Sequence, residues 1–258
     1  MNHNVLKIIS ILLILFILTA CENSDQQVAI DTPYYGLKGP VKSVSHSFDY
    51  SNVPSNKDNF AKGRIELDFN TTGKLTRTLH QYTNLEKPDT PPDASQSNYT
   101  YDVKGRLYER TSNYGSGSTQ KLKYLYKKDA LLPYAALMIS EYDSQMHFYK
   151  HDAKGNLVEV NSVNKRFEHL SSYTAKYNSN DRPLEYTNRF GEDYRTTFSL
   201  EYNDKGFVKK EIESTNKGKS VLTYEYLKMD SYNNWISRKV FSDEKNGYVI
   251  EKRDIIYY

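Results

Sequence analysis

Tyr101-Asp102-Val103-Lys104-Gly105-Arg106-Leu107 is the phrase that decides the fold of this chain. It opens on an aromatic residue, passes through polar residues and a glycine, and closes on a large apolar residue. Phe69-Asn70-Thr71-Thr72-Gly73-Lys74-Leu75 repeats it. Stronger or weaker copies surround Ala130, Gly155, Asp181, Gly206 and Asn233, so seven copies follow one another at intervals of 32, 25, 25, 26, 25 and 27 residues. A period near 25 marks a repeat architecture, in which one small unit recurs along the chain.

The unit reads as a hairpin. Apolar residues alternate before each turn, as at Leu67 and Phe69, Tyr99 and Tyr101, Tyr124 and Tyr126, Tyr173, Ala175 and Tyr177, and Phe198, Leu200 and Tyr202. A period of two puts each set on one face of a strand. Asn or Asp then caps the turn with its own side chain, and Gly accepts positive φ. Leu75, Leu107, Leu132, Leu157, Val208 and Trp235 restore the apolar face beyond it. Seven hairpins and an opening strand at Val41 to Phe48 predict about fifteen strands. Short connections make them an antiparallel meander. A flat meander would leave its apolar ladder in water, at ~25 cal/mol per Å². The expected fold is therefore all-β, with the sheet curled into a barrel or shell.

The 258 residues form one β domain over 34–258, after a targeting segment (1–20) and a tether (21–33). The 24 tyrosines suit half-buried strand faces. Two irregular loops interrupt the pattern, 51–62 and the proline-bearing 84–98, the second accounting for the 32-residue interval. Gly115 to Ser118 and Asn180 to Pro183 read as turns. The segment Ala130 to Ile139 is the nearest approach to a helix, and Pro133 lies inside it.

Lys7 and the apolar run Ile8 to Leu18 form a secretory signal, too short to span a bilayer. Leu18-Thr19-Ala20-Cys21 resembles the lipobox of bacterial lipoproteins. That resemblance implies cleavage before Cys21, lipidation of its thiol, and an anchor in the cell envelope. Glu22, which is not Asp, implies the outer membrane in a host with such sorting. Cys21 is the sole cysteine, so no disulfide joins the chain to itself. The net charge of +3 falls by one when Lys7 is removed. Near-neutrality argues against a nucleic-acid partner.

The period and the Tyr-Asp-x-x-Gly phrase resemble the YD repeats of Rhs-type proteins over residues 65 to 240. Tyr101 to Leu107 matches best, and His151-Asp152-Ala153-Lys154-Gly155-Asn156-Leu157, Tyr202 to Val208 and Met229 to Trp235 are variants. Long Rhs proteins wall in a toxin with many such repeats, more than this chain has. The resemblance points to short YD-like envelope lipoproteins, some of them soluble porin-like barrels.

No residue pattern spells a reaction. Asp102, Asp152, Asp204 and Asp230 are explained as turn formers, and no Gly-x-Ser-x-Gly elbow or phosphate loop is present. His147 and His151 lie four apart on a strand and need a further ligand to hold a metal. The expectation is a non-enzymatic binding or scaffold module, without cofactor or metal, for a protein or glycan partner. An immunity lipoprotein against a toxin and a carbohydrate-active enzyme are the alternatives. The ladder aromatics read as core. Tyr108, Tyr114, Tyr186, Phe190 and Tyr194 fall off the ladder and are the candidate binding residues. Binding is expected where the repeat is broken: the two loops and the units at 130 and 181. Tyr258 also permits comparison with membrane-spanning barrels, but charges opposite the ladder favour a soluble final strand.

Overall fold

The computed structural model describes residues 35–49, 60–84, 92–141, 143–191, 193–243 and 245–258. The signal, Cys21, the tether and most of the two irregular loops lie outside the described residues. The remainder forms one closed antiparallel barrel of sixteen strands. In chain order they are β1 (Val41–Asp49), β2 (Phe60–Phe69), β3 (Leu75–Asn84), β4 (Asp93–Tyr101), β5 (Leu107–Tyr114), β6 (Thr119–Leu125), β7 (Ala135–Ser140) and β8 (Ser144–His151). They continue as β9 (Leu157–Asn164), β10 (His169–Tyr177), β11 (Pro183–Phe190), β12 (Tyr194–Tyr202), β13 (Val208–Thr215), β14 (Gly218–Met229), β15 (Trp235–Ser242) and β16 (Lys245–Tyr257). Each strand pairs with its sequence neighbours, and β1 pairs with β16 to close the ring. Closure removes the unpaired edges that invite aggregation.

The expected meander is present, with one strand more than the hairpin count. Seven phrases join the fourteen strands β2 to β15. β1 opens the ring, and β16 supplies the sixteenth strand. All seven phrases therefore lie on one rim. The opposite rim carries the eight connections that the repeat does not govern. Strand structure also reaches into both predicted loops: β2 starts at Phe60 and β4 at Asp93.

Six of the seven rim turns share one geometry. In the best-matching copy the Asp102 carboxylate accepts from the amides of Lys104 and Arg106, both at 2.9 Å. Asn70, Asp152, Asn178, Asn203 and Asp230 do the same for the amides two and four residues on. The fourth residue of each turn takes a left-handed φ, from 56° at Asp181 to 91° at Gly155. Asp181 and Asn233 can stand in for Gly because short polar side chains tolerate that region. The unit at 181 is thus intact, against the expectation that it is degenerate. The unit at 130 is broken: Lys127 replaces the capping residue, and the amide of Tyr134 closes the longer connection onto Leu125. Ala135 to Ser140 is strand, not helix.

A bulge follows most of these turns. Tyr101 faces Leu107, yet Thr100 faces Glu109, so Tyr108 is an extra residue. The same shift pairs Phe69 with Leu75, His151 with Leu157, Tyr177 with Pro183, Tyr202 with Val208 and Met229 with Trp235. The two ends of the phrase thereby meet across the barrel wall, both turned inward. A bulge re-aims side chains in this way.

The units are also fastened to one another. The Tyr101 hydroxyl donates to the Leu75 carbonyl of the preceding unit at 2.7 Å, and Tyr126, Tyr177, Tyr202 and Tyr226 donate to Leu107, Leu157, Pro183 and Val208. Lys74, Arg106 and Arg182 lie over Tyr101, Tyr126 and Tyr202 of the next unit, at 5.3, 4.4 and 5.7 Å. Tyr and the basic residue after the glycine position thus couple neighbours, as hydrogen bond and cation–π contact.

The candidate site in the barrel lumen

The outer wall is laced with charge. Arg77 contacts Glu66 and Asp68, and Lys123, Lys150, Lys176, Lys210 and Lys239 face Glu109, Glu159, Glu185, Glu201 and Glu225. Exposed pairs of this kind contribute little stability. They interrupt the continuous apolar band that a lipid-facing barrel needs. Among the described residues no helix is long and apolar enough to cross a membrane either.

The large buried apolar residues gather on one side of the interior. A sixteen-stranded barrel is too wide for ordinary side chains to meet at its axis. One wall answers this with large residues: Val44, Phe48, Ile65, Leu67, Phe69, Tyr186, Phe198, Leu200, Tyr224 and Val240 form a buried cluster on β1, β2 and β11 to β15. Tyr35 and Leu37 join it from the segment before β1. That segment is pinned across the rim by Asn234, which accepts from the Lys38 amide at 2.7 Å and donates to the Lys38 carbonyl at 2.9 Å.

A charged cluster is embedded in this packed wall. Arg238 donates to Glu251 from Nε at 2.7 Å and from Nη2 at 2.6 Å, and His46 lies 3.3 Å from the same carboxylate. The guanidinium carbons of Arg253 and Arg238 lie 3.7 and 4.2 Å from the Trp235 ring centre. Burial would raise the Glu251 pKa, but Arg238 and then His46 outweigh it and hold the group down at about 2. Burial lowers His46, so its imidazole is neutral at pH 7. Burial, helped by the Arg238 charge, pulls Arg253 down to about 9. Glu211 has no ion-pair partner among the described residues, and the Tyr224 hydroxyl donates to it at 3.5 Å. Its burial, offset in part by Arg238, pushes it up to about 7. Two carboxyls with pKa values driven apart are what an acid–base enzyme requires. Here Glu211 and Glu251 are only 4% and 3% exposed. Nothing in the sequence periodicity marks them beyond their inward register.

The facing wall, β4 to β10, is built differently. Its large inward residues Tyr99, Arg110, Tyr124, Gln145, His147, Tyr149 and Tyr173 are half-buried, beside the buried Leu107, Leu122, Ala136 and Ala175. Small polar residues stand among them: Ser97 and Ser112 share a 2.7 Å hydrogen bond, and His147 Nδ1 lies 2.7 Å from the buried Ser162 hydroxyl. Tyr124 and Tyr149 stack, with ring centres 6.3 Å apart and 18° between planes. Tyr99, Tyr114, Tyr124 and Tyr149 surround Arg110 closely enough to feel its charge. The lumen thus carries large buried apolar side chains on one wall, and half-buried tyrosines with Arg110, Gln145 and His147 on the other.

The candidate residues read from the sequence separate accordingly. Tyr186 was expected at the surface; it is 2% exposed, stacked on Phe198 at 4.7 Å in the packed wall. Its register opposite Ala175 and Phe198 turns it inward. Tyr108 is 51% exposed on the outside because it is the bulge residue. Phe190 and Tyr194 meet across a hairpin at 6.0 Å, and Tyr114 donates to Gln120 at 3.3 Å. These three lie on the rim opposite the phrases, and of them Tyr114 is the one near Arg110. His147 faces the lumen beside Ser162, and among the described residues no cluster of three His, Cys, Asp or Glu is placed to hold a metal.

No protein-family model and no curated protein sequence matches the chain. Among solved structures it is similar to a porin-like protein from Bacteroides uniformis ATCC 8492, with a TM-score of 0.57 and 10% identity, over 85% of this chain and 98% of that one. The two share a fold. It is also matched to the Photorhabdus luminescens Tc holotoxin pore at 11% identity, over 72% of this chain and 11% of that one. The TM-score there is 0.30, too low for any argument from shape.

Proposed function

We propose that the chain is a lipid-anchored barrel of the bacterial outer membrane that binds a glycan in its lumen without transforming it. The observation that carries this is the one-sided filling of the barrel. Packing both walls alike would have buried more apolar area, yet β4 to β10 keep Arg110, Gln145, His147 and the stacked Tyr124 and Tyr149 half-buried on their inner face. Tyrosine faces suit sugar rings, and serine, asparagine and glutamine side chains suit hydroxyl groups. A lumen admits a saccharide more readily than a folded protein. The charged outer wall suits water rather than lipid, so the anchor falls to Cys21, outside the described residues. The porin-like fold of the Bacteroides protein agrees with a life in the envelope.

The enzyme reading would rest on Glu211 and Glu251, and their burial in the packed wall argues against access by substrate. The test uses the full chain in mild detergent, incubated with the solubilised glycan pool of its own envelope and re-isolated. The expected result is a bound saccharide of unchanged length, lost on Tyr149→Ala. Shortened products, or a protein partner with no saccharide, would overturn the proposal.

A further inference from the structure

We infer that Arg110 is the centre of an anion subsite in the lumen, taking one carboxylate or sulfate group of the bound saccharide. This rests on the lumenal glycan reading and narrows it to acidic sugars. Arg110 lies in the middle of β5, opposite Tyr99 on β4 and Leu122 on β6. Its Nε is buried and has no hydrogen-bond partner among the described residues. No carboxylate ion-pairs with it there, in contrast to Arg77, Arg106 and Arg238.

No carboxylate faces Arg110 among the described residues. From β4, β5, β6 and β8 come Tyr99, Tyr114, Tyr124 and Tyr149. Burial raises Tyr124 and Tyr149, which keeps both phenols protonated. His147 on β8 is held neutral, first by burial and then by the Arg110 charge. A guanidinium stays charged at physiological pH. Holding that charge in the lumen with a buried Nε and no carboxylate beside it is unfavourable unless an anion arrives. Phenol hydroxyls then become donors to the same anion, and the stacked Tyr124 and Tyr149 offer a face to the sugar ring that bears it. A planar guanidinium matches a carboxylate or sulfate edge.

The test measures binding of three trisaccharides of one linkage, uronate, sulfated and neutral, to the full chain in detergent. Either acidic sugar is expected to bind at least tenfold more tightly than the neutral one, more weakly as salt rises. The stronger of the two acidic arms identifies the anion. Arg110→Met should abolish the acid preference and, without ligand, melt higher than wild type, since an uncompensated charge is gone. Arg110→Lys should keep part of the preference. Equal binding of acidic and neutral sugars, or an acid preference that survives Arg110→Met, would overturn the subsite and leave the glycan reading standing. Failure of all three sugars would overturn the subsite. Only that failure together with an envelope pool that yields no saccharide would remove both.

Discussion

The Tyr258 hydroxyl donates a 2.6 Å hydrogen bond to the carbonyl oxygen of Phe69. It reaches across β1 and fastens the β16 side of the ring to β2, as the repeat tyrosines fasten each unit to its neighbour. Replacing it by Phe removes only the hydroxyl. A single hydrogen bond of this kind contributes about 1 kcal/mol. Tyr258→Phe and Tyr202→Phe should each lower stability by about that much in urea unfolding, additively, because their acceptors Phe69 and Pro183 belong to different hairpins.

Phe167 holds φ 63° in an exposed hairpin turn. That conformation costs a bulky L-residue about 1 kcal/mol or more, and Gly nothing. Asn164 already caps this turn, accepting from the amides of Arg166 and Glu168. Phe167→Gly should therefore stabilise the barrel by about 1 kcal/mol, read as a raised unfolding midpoint. A loss would mean that the ring has a packing role, although it is 77% exposed.

Glu211 gives the clearest dependence on pH. Its pKa rises from 4.5 to about 7 on burial. A carboxyl shifted upward contributes stability below its unfolded value and loses it as the pH climbs through the folded value. Wild type should thus lose stability between about pH 4.5 and 7 relative to Glu211→Gln, by on the order of 3 kcal/mol in full. Urea unfolding of both proteins across that range checks it. A constant difference would mean that the carboxyl stays ionised.

Asn234 is fully buried and bonds to both backbone groups of Lys38 and to the Tyr257 hydroxyl, at 2.7, 2.9 and 2.8 Å. Asn234→Ala leaves both Lys38 backbone groups without their partner, while Tyr257 keeps its bond to Asp230, and should cost about 2–4 kcal/mol. Protease cleavage near residues 35–40 should quicken well before the barrel unfolds. Unchanged cleavage would mean that Tyr35 and Leu37 hold the segment alone.

The fold was legible because its rule is local. The Asx cap, the left-handed fourth residue and the paired apolar ends lie within one seven-residue phrase, so Tyr101 to Leu107 predicts a hairpin without any neighbour. The role of Tyr101 was less legible, since its partner Leu75 is 26 residues away and the ring must form before they meet. The lumen was least legible. Arg110, Glu211 and Arg238 look like ordinary strand residues, and only the register shows that they point inward. Tyr186 was misplaced for that reason: one bulge reverses which face a residue occupies. Tyr114 was chosen as an aromatic off the ladder, and its nearness to Arg110 shows only in the closed ring.

The central claim is a lumen packed on one wall and open on the other. Cys21 is the sole natural cysteine, so single thiols can be placed on a Cys21→Ser background. Gln145→Cys faces inward from β8, and Val240→Cys faces inward from β15, where Val240 is 6% exposed. With a small thiol-specific reagent, Gln145→Cys should react at rates near those of an exposed thiol. Val240→Cys should react only as fast as the barrel opens, orders of magnitude more slowly. Equal protection at the two positions would mean a filled interior, and would contradict the account.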